Sequence, residues 1–310
     1  MSVFNVVGVM KYGQLVLQAG TVKFASNSKL VLAPSEKNML PPKSLTIIAD
    51  TIEIVDHAEI TYDFDWLPGF DPDTPAPPQT ATVPNSSDGS SSPGEGSYPQ
   101  ANNGGDGQPG KTGIKGIAGQ DAPELEIFVG RVLQVNPDAI TVNFKGQDGG
   151  DGGNGGKGGK GGDGQKGAAS QSSDSWYDGD QCDREPGRGG NGGKGGDAGF
   201  PGRGGQGGNG GIIKVFAKQS ALPLVQGWKY IVKGGKGADP GDPGKEGAGG
   251  AGGPQGTQND PCPSRPEYHG TDGPTGQSMN NADPNWQKTY KGKDGLDGDA
   301  GTYELTGVPN

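Results

Sequence analysis

The chain has little of what an ordinary globular core is made from. Only 29% of its 310 residues are hydrophobic and 6% are aromatic. Most of its length therefore cannot bury enough apolar area to offset a backbone ordering entropy of roughly 1–2 kcal/mol per residue. No run of about 18 apolar residues occurs, so no transmembrane helix is expected. The first twenty residues have no cationic start followed by an apolar block, which removes the usual secretory signal peptide from expectation. An extracellular or virion-associated location by another route, or the cytosol, then stays open. With two histidines, two cysteines and no HExxH, GxSxG or CxxC pattern, the common signatures of zinc, nucleophilic and dithiol chemistry are missing. Clustered basic charge is missing too. The 26 Lys and Arg are interleaved with aspartates and outnumbered by 36 acidic residues, for a net charge of −10. A nucleic-acid partner would call for a basic stripe, so none is expected.

What the chain does have is glycine in a fixed phase. Over 146–167 every third residue is glycine eight times in succession, and over 187–211 nine times. A helix repeats at about 3.6 residues and a strand at 2, so a period of three points to an extended three-fold helix of the polyproline II type. A Gly/Ser linker has no reason to hold such a phase. In the central runs two residues of three are glycine, as in GGDGGNGGKGG. Two bare ridges allow close backbone approach on two sides, which puts these segments in the interior of a bundle. The third residue, mostly Asp, Asn, Lys, Gln or Arg, is expected to face solvent. N–H and C=O groups in such helices have no internal partners and must pair with neighbouring segments or water. A collagen-like triple helix of three chains is the rival reading. It is weakened by the absence of proline from 146–167 and by the many interruptions.

Between the glycine runs lie strand-like blocks. Residues 13–33 contain three short β-like pieces, 15–17, 22–24 and 30–32. Residues 45–62, 125–144 and 212–232 each read as a strand, a short middle element and a second strand, with β-branched residues alternating with polar ones. The starts of these three blocks are 80 and 87 residues apart, the mark of an internal repeat. Each block is followed by an outward excursion, an irregular segment and a glycine-rich return. If the blocks stack into one base, the irregular segments 63–103, 168–186 and 257–291 gather at the far end, roughly 65–70 Å away at about 3.1 Å per residue. The expected fold is all-β and fibrous: a short β-solenoid or β-sheet base, an intramolecular bundle of three-fold helices, and distal loops. Its two parts are an N-terminal β region (1–62) and a bundle (63–310) whose strand blocks join the base.

This pattern resembles the polyglycine II helix-bundle proteins, represented by the snow flea antifreeze protein and the receptor-binding tip adhesins of T-even-like phages. The resemblance spans roughly 104–119, 146–211, 235–256 and 292–301. It is one of pattern rather than alignable sequence, so no functional residue is carried over. For the adhesins it implies distal loops that bind a cell surface. Ice binding fits poorly with the many Asp and Lys residues at the third positions.

The distal segments hold Trp66, Phe70 and Tyr98, then Trp176 and Tyr177, then Tyr268, Trp286 and Tyr290. Rigid rings among Ser, Asn and Asp suit recognition of a glycan or protein receptor, and equally suit a small core that ties the loops together. Trp66, Tyr98, Trp176, Tyr177, Tyr268 and Trp286 are the candidate ligand-binding residues. Cys182 and Cys262 fall in the second and third segments, so a disulfide between them is one expectation and two free thiols the other. His57 on a strand reads as structural, and His269 lies in the last loop. No cofactor is expected. The acidic stretches 178–183 and 294–299 offer Ca²⁺ oxygen ligands without full EF-hand spacing, so solvated turns are the favoured reading. The leading function is non-enzymatic binding or adhesion. The alternatives are a structural subunit of a filament, appendage or coat, with edges in 13–32 and 302–305 pairing with other copies, and a polysaccharide-active enzyme using Glu59, Asp63 and Asp65.

Overall fold

Alternation of β-branched and polar residues builds the base. The computed structural model describes residues 2–33, 43–62, 90–91, 94–96, 98–136, 139–175, 179–279 and 302–309. Strands β1 (Val3–Val6), β2 (Val9–Tyr12), β3 (Val16–Phe24), β4 (Ser28–Leu32), β5 (Ser44–Ile54), β6 (Ala58–Tyr62), β7 (Glu124–Gln134) and β8 (Ile140–Asn143) come first. They are followed by a hairpin of β9 (Gln171–Ser175) and β10 (Gly179–Arg184), then by β11 (Ile212–Lys218), the short helix α1 (Leu222–Gln226), β12 (Lys229–Ile231) and β13 (Tyr303–Val308). The odd-numbered strands of the base form a six-stranded parallel sheet in the order β1-β3-β5-β7-β11-β13, and β2-β4-β6-β8-β12 form a second, five-stranded one. The chain therefore crosses from one sheet to the other in each passage, and each passage pairs in parallel with the one before.

Register makes the core columnar. Leu17, Ile47, Ile127, Val215 and Leu305 are successive partners in the first sheet, and Leu30, Ile60, Val142 and Tyr230 in the second. The side chains of Leu17, Ile47, Ile127, Val215, Leu30, Ile60 and Val142 are buried between the sheets. Since the side-chain period of a strand is 2, a slip of one residue would turn a whole column to solvent, which pins the register. The outer faces carry paired polar columns, among them Lys23–Glu53 at 2.7 Å and Lys29–Glu59 at 3.3 Å. The three pieces expected in 13–33 are in fact two strands, because pairing to β5 continues through Ala19 and Thr21 on either side of Gly20. Of the edges expected in 13–32, β4 is flanked on both sides, while β3 is covered by β1 over 21–24 alone and keeps an open edge over 16–19 among the described residues.

Beyond the base the glycine runs carry the pairing onward without strand geometry. Segment 145–167 donates from Gly146, Gly149, Gly152, Gly155, Gly158, Gly161 and Gly164 to carbonyls of 233–251 at 2.8–2.9 Å. One residue later in each triplet, Gly150, Gly153, Gly156, Gly159 and Gly162 donate to carbonyls of 105–117 at 2.7–2.8 Å. Segment 187–211 donates to 144–168 from Gly187 through Gly211 and, from Gly189, Gly192, Gly195 and Ala198, to 268–277. Two bonding directions per triplet use two of its three N–H groups. They also explain why two residues of three lack a side chain: a Cβ on Gly158 would lie 2.1 Å from the Gly196 carbonyl oxygen, and one on Gly193 2.0 Å from that of Gly105.

The third residue of the triplet does more than face solvent. Asn103 Oδ1 accepts the N–H of Asn191, Asp106 that of Lys194, Asp148 that of Lys236, Asn154 that of Asp242 and Asp163 that of Ala251, at 2.6–2.9 Å and always 88 residues apart. Asn191 and Asp197 in turn accept from Thr271 and Gln277, 80 residues on. These short side chains satisfy the third N–H of the neighbouring segment, which backbone pairing leaves over.

This arrangement has a pH consequence. The Ala251 N–H, then Lys160, holds the Asp163 carboxyl below the usual aspartate range, and the Gln277 N–H, then Lys194, does the same for Asp197. A depressed folded-state value contributes stability that is fully present above the unfolded aspartate pKa of about 3.9 and is lost as pH falls through the folded value. Thermal melts should therefore drop below about pH 4, and the double change Asp163→Asn, Asp197→Asn, which keeps the acceptor oxygen, should flatten that drop. An unchanged acid limb in the double variant would contradict the assignment.

Candidate functional site

The far end of the glycine segments is where the irregular loops meet. The β9–β10 hairpin grows from the turn between 167 and 187, and the loop 257–269 packs beside it through the Cys182–Cys262 disulfide, which joins residues 80 apart in sequence. Cys262 is buried. Ser170, also buried, accepts the Asn259 N–H through its hydroxyl at 2.6 Å and the Asn259 side-chain amide through its carbonyl at 2.9 Å. Gln258 Nε2 donates to the Cys262 carbonyl at 2.7 Å. The third loop arrives from the other side: Gly96 donates to the Lys166 carbonyl and Arg188 to that of Pro99, each at 2.8 Å. Lys166 Nζ bonds Glu95 at 3.1 Å and also the Thr257 hydroxyl, so all three loops share one cluster.

On this frame two tyrosines each carry an arginine. The Arg184 guanidinium lies 5.0 Å from the Tyr98 ring centre and the Arg188 guanidinium 4.6 Å from that of Tyr268. Such pairs contribute about 0.5–1 kcal/mol at exposed sites. Arg265 forks onto Glu185, Nε to Oε2 at 3.2 Å and Nη2 to Oε1 at 2.7 Å, and the Tyr268 hydroxyl donates to the same carboxylate at 3.3 Å. That fork holds Glu185 below the usual carboxylate range. Tyr268 is thereby fixed from three sides, its own carbonyl accepting from Gly189 at 2.8 Å. Tyr98 is 49% exposed, a ring face backed by a cation and open to solvent.

Of the candidate ligand-binding residues, Tyr98 and Tyr268 are brought to this end together with the Cys182–Cys262 bridge. Trp66, Trp176, Tyr177 and Trp286 lie outside the described residues, as do Asp63, Asp65 and the acidic stretch 294–299. Within 178–183, Asp180 faces Asp174 across the hairpin and Asp183 accepts from the Ser173 hydroxyl at 2.9 Å. The hydrogen bond to Asp174 and its negative charge push the Asp180 carboxyl up. Among the described residues no three His, Cys, Asp or Glu side chains gather as a metal ion would require. No helix there is long and apolar enough to cross a membrane. On the base, Glu59 is paired with Lys29 and accepts from Asn143 at 3.3 Å. His57 is exposed and paired with Asp56 at 2.8 Å. A groove of about 490 Å³ at the corner of the base is mostly apolar, lined by Ile54, Val55, Val132, Leu133 and Leu224 among others. Its lining carboxylate, Glu53, is held by Lys23. Arg184, Arg188, Arg265 and Glu185, which build the tip cluster, are not singled out by sequence reading. Their signal is weak: arginines flanking a cysteine and opening a glycine run.

Removing the bridge frees a long loop. Cys182→Ser, Cys262→Ser should lower stability by about 2–5 kcal/mol, the usual range for loss of a native disulfide, and toward its upper end for a loop of this size. Chemical denaturation checks it, and a loss under about 0.5 kcal/mol would show that the loop contacts hold the tip without the bond.

No protein-family model matches the chain, and no curated protein matches it. A solved structure, the nine polyproline type II helical bundle antifreeze protein of the springtail Granisotoma rainieri, is 22% identical over 50% of this chain and 94% of its own, with a TM-score of 0.08. Superposition that poor carries no argument about fold or activity.

Proposed function

We propose that the protein is a non-enzymatic binding or adhesion protein. In this reading the two parallel sheets are a β-solenoid base and the glycine segments a polyglycine II bundle. Together they hold the loop cluster of Tyr98, Arg184, Arg188, Glu185, Arg265 and Tyr268 toward a surface glycan or protein receptor. The observation that carries the reading is the convergence of three loops, tied by a disulfide, on an exposed tyrosine face backed by arginine. An exposed ring of this kind stacks on a sugar face or an apolar receptor patch, and the neighbouring guanidinium and carboxylate supply charged hydrogen bonds. The mechanism is preorganisation: a loop held by lattice bonds and a disulfide loses little freedom on binding. The disulfide is also in keeping with an oxidising final location.

The test is a glycan array and whole-cell binding assay with Tyr98→Ala and Tyr268→Ala. Each is expected to weaken binding by roughly tenfold or more, the 1.4 kcal/mol or above of a recognition hot spot, while Tyr98→Ala lowers the melting temperature by no more than about 2–4 °C, the loss of its pair with Arg184. Binding that survives both changes at full strength would overturn the reading.

A further inference from the structure

The two ends of the base are complementary in register. β1 covers only half of its neighbour, Val3–Val6 pairing with 21–24 of β3. Among the described residues no strand pairs with the outer edge of 16–19, where the Tyr12 hydroxyl donates to the Val16 carbonyl. At the opposite end β13 covers the other half of its sheet, pairing with 213–218. Traced through β7 and β5, the β11 positions 214–217 align with 16–19 of β3. β13 thus occupies the half of a rung that β1 does not reach, and on a receiving copy its addition would replace the Tyr12 hydroxyl at the Val16 carbonyl.

The columns continue across that junction. Leu305 ends the column that starts at Leu17, and Gly307 ends the small-residue column of Ala19, Ala49, Val129 and Ala217. In the second sheet Tyr230 ends the column that starts at Met10. A second copy set with its Leu17 on Leu305, Ala19 on Gly307 and Met10 on Tyr230 extends the second sheet and the 16–19 half of the first in register, and brings its β1 to the turn and α1 that follow β11. The receiving end is apolar as well: Val3, Val7, Val9, Leu15 and Val16 are 46–70% exposed. The glycine segments join β7, β8, β11 and β12, beside the other end.

We propose that the base joins a second copy of this chain head to tail, β13 of one copy adding to 16–19 of the next and β12 to β2. Unpaired parallel edges with an apolar margin are templates for such addition, and a heterologous contact repeats into an open filament unless its rotation closes a ring. The contact is independent of whatever ligand the loops take.

Gln18 and Thr306 face outward and become register neighbours in the joint, within the reach of a disulfide. Full-length Gln18→Cys and Thr306→Cys chains, mixed under mild oxidation, are expected to give roughly tenfold more cross-linked dimer than either alone. Sedimentation velocity of the native chain should show species that grow with concentration, and Val16→Glu, which sets a like charge beside Glu304 in the joint, should remove them with its melting curve unchanged. A monomer at every concentration would overturn the proposal. So would Gln18→Cys chains that cross-link equally well with themselves, since that describes a symmetric dimer. If Val16→Glu fails to fold, the mixed cross-link decides.

Discussion

Gly196→Val should cost about 3–5 kcal/mol, the sum of severe overpacking and two broken rungs. Gly196 donates to the Gly159 carbonyl and accepts from Gly247, both at 2.8 Å. A Cβ there would stand 2.0 Å from the Gln108 carbonyl oxygen and 2.9 Å from the Gly159 nitrogen. Both are backbone atoms, so no rotamer change makes room. Ala238 shows how the lattice takes a methyl group. It stands in a glycine phase of 233–256 and still donates to the Gly205 carbonyl at 3.0 Å, on an outer run rather than an interior one. Alanine at 196 should accordingly cost about 1–3 kcal/mol and valine more. Lys157→Val, at an exposed third position of the neighbouring run, should stay within about 0.5 kcal/mol. Urea titration of the three variants checks the order, and equal effects at 157 and 196 would remove the close-packing argument.

Phe144→Ala should cost about as much, 3–5 kcal/mol, for a different reason. Phe144 sits where β8 gives way to a glycine run. It is fully buried, donates to the Ile231 carbonyl and accepts from Gly211 at 2.8 Å each, with its ring 6.3 Å from that of Tyr62. Truncation leaves a cavity beside the Tyr62 ring, at a point where the backbone bonds to 211 and 231 hold the neighbouring segments in place. Phe128, stacked at 4.7 Å on Phe216 and 37% exposed on the outer face, offers the contrast. Its truncation should cost about 0.5–1.5 kcal/mol. A Phe144→Ala effect no larger than that of Phe128→Ala would mean that base and lattice are not coupled there.

Much of this architecture is legible because glycine at a strict third position has few physical meanings. Side chains are absent where backbones touch, and the touching follows from the phase. The alternating blocks 45–62, 125–144 and 212–232 likewise announce strands. What escapes is whatever depends on knowing which runs are neighbours. Asn103, Asp148 and Asp163 read as solvated residues until the 88-residue offset brings a third N–H to each. β1 and β2, four residues apiece, carry too short an alternation to stand out. Gly20 reads as a turn, although pairing to β5 overrides it. At the tip, loops that return to one end bring Cys182 and Cys262 within range of each other but leave a bridge and two free thiols equally open, and the structure shows the bridge. The arginine partners of Tyr98 and Tyr268 could not be read, because cation–ring contacts leave no spacing in the sequence.

The most direct measurement is residue-resolved amide hydrogen exchange across 146–167. Gly149, Gly152 and Gly155 donate toward one neighbour and Gly150, Gly153 and Gly156 toward another, so these amides should be protected while Asp151 and Lys157 exchange quickly. The expected trace over 149–159 is slow, slow, fast, repeated every three residues, and Asp163, whose N–H donates to Ser91 Oγ at 2.8 Å, is a slow third position. Uniformly fast exchange, or protection without a period of three, would contradict the hydrogen-bonded lattice on which the base, the tip and their coupling all depend.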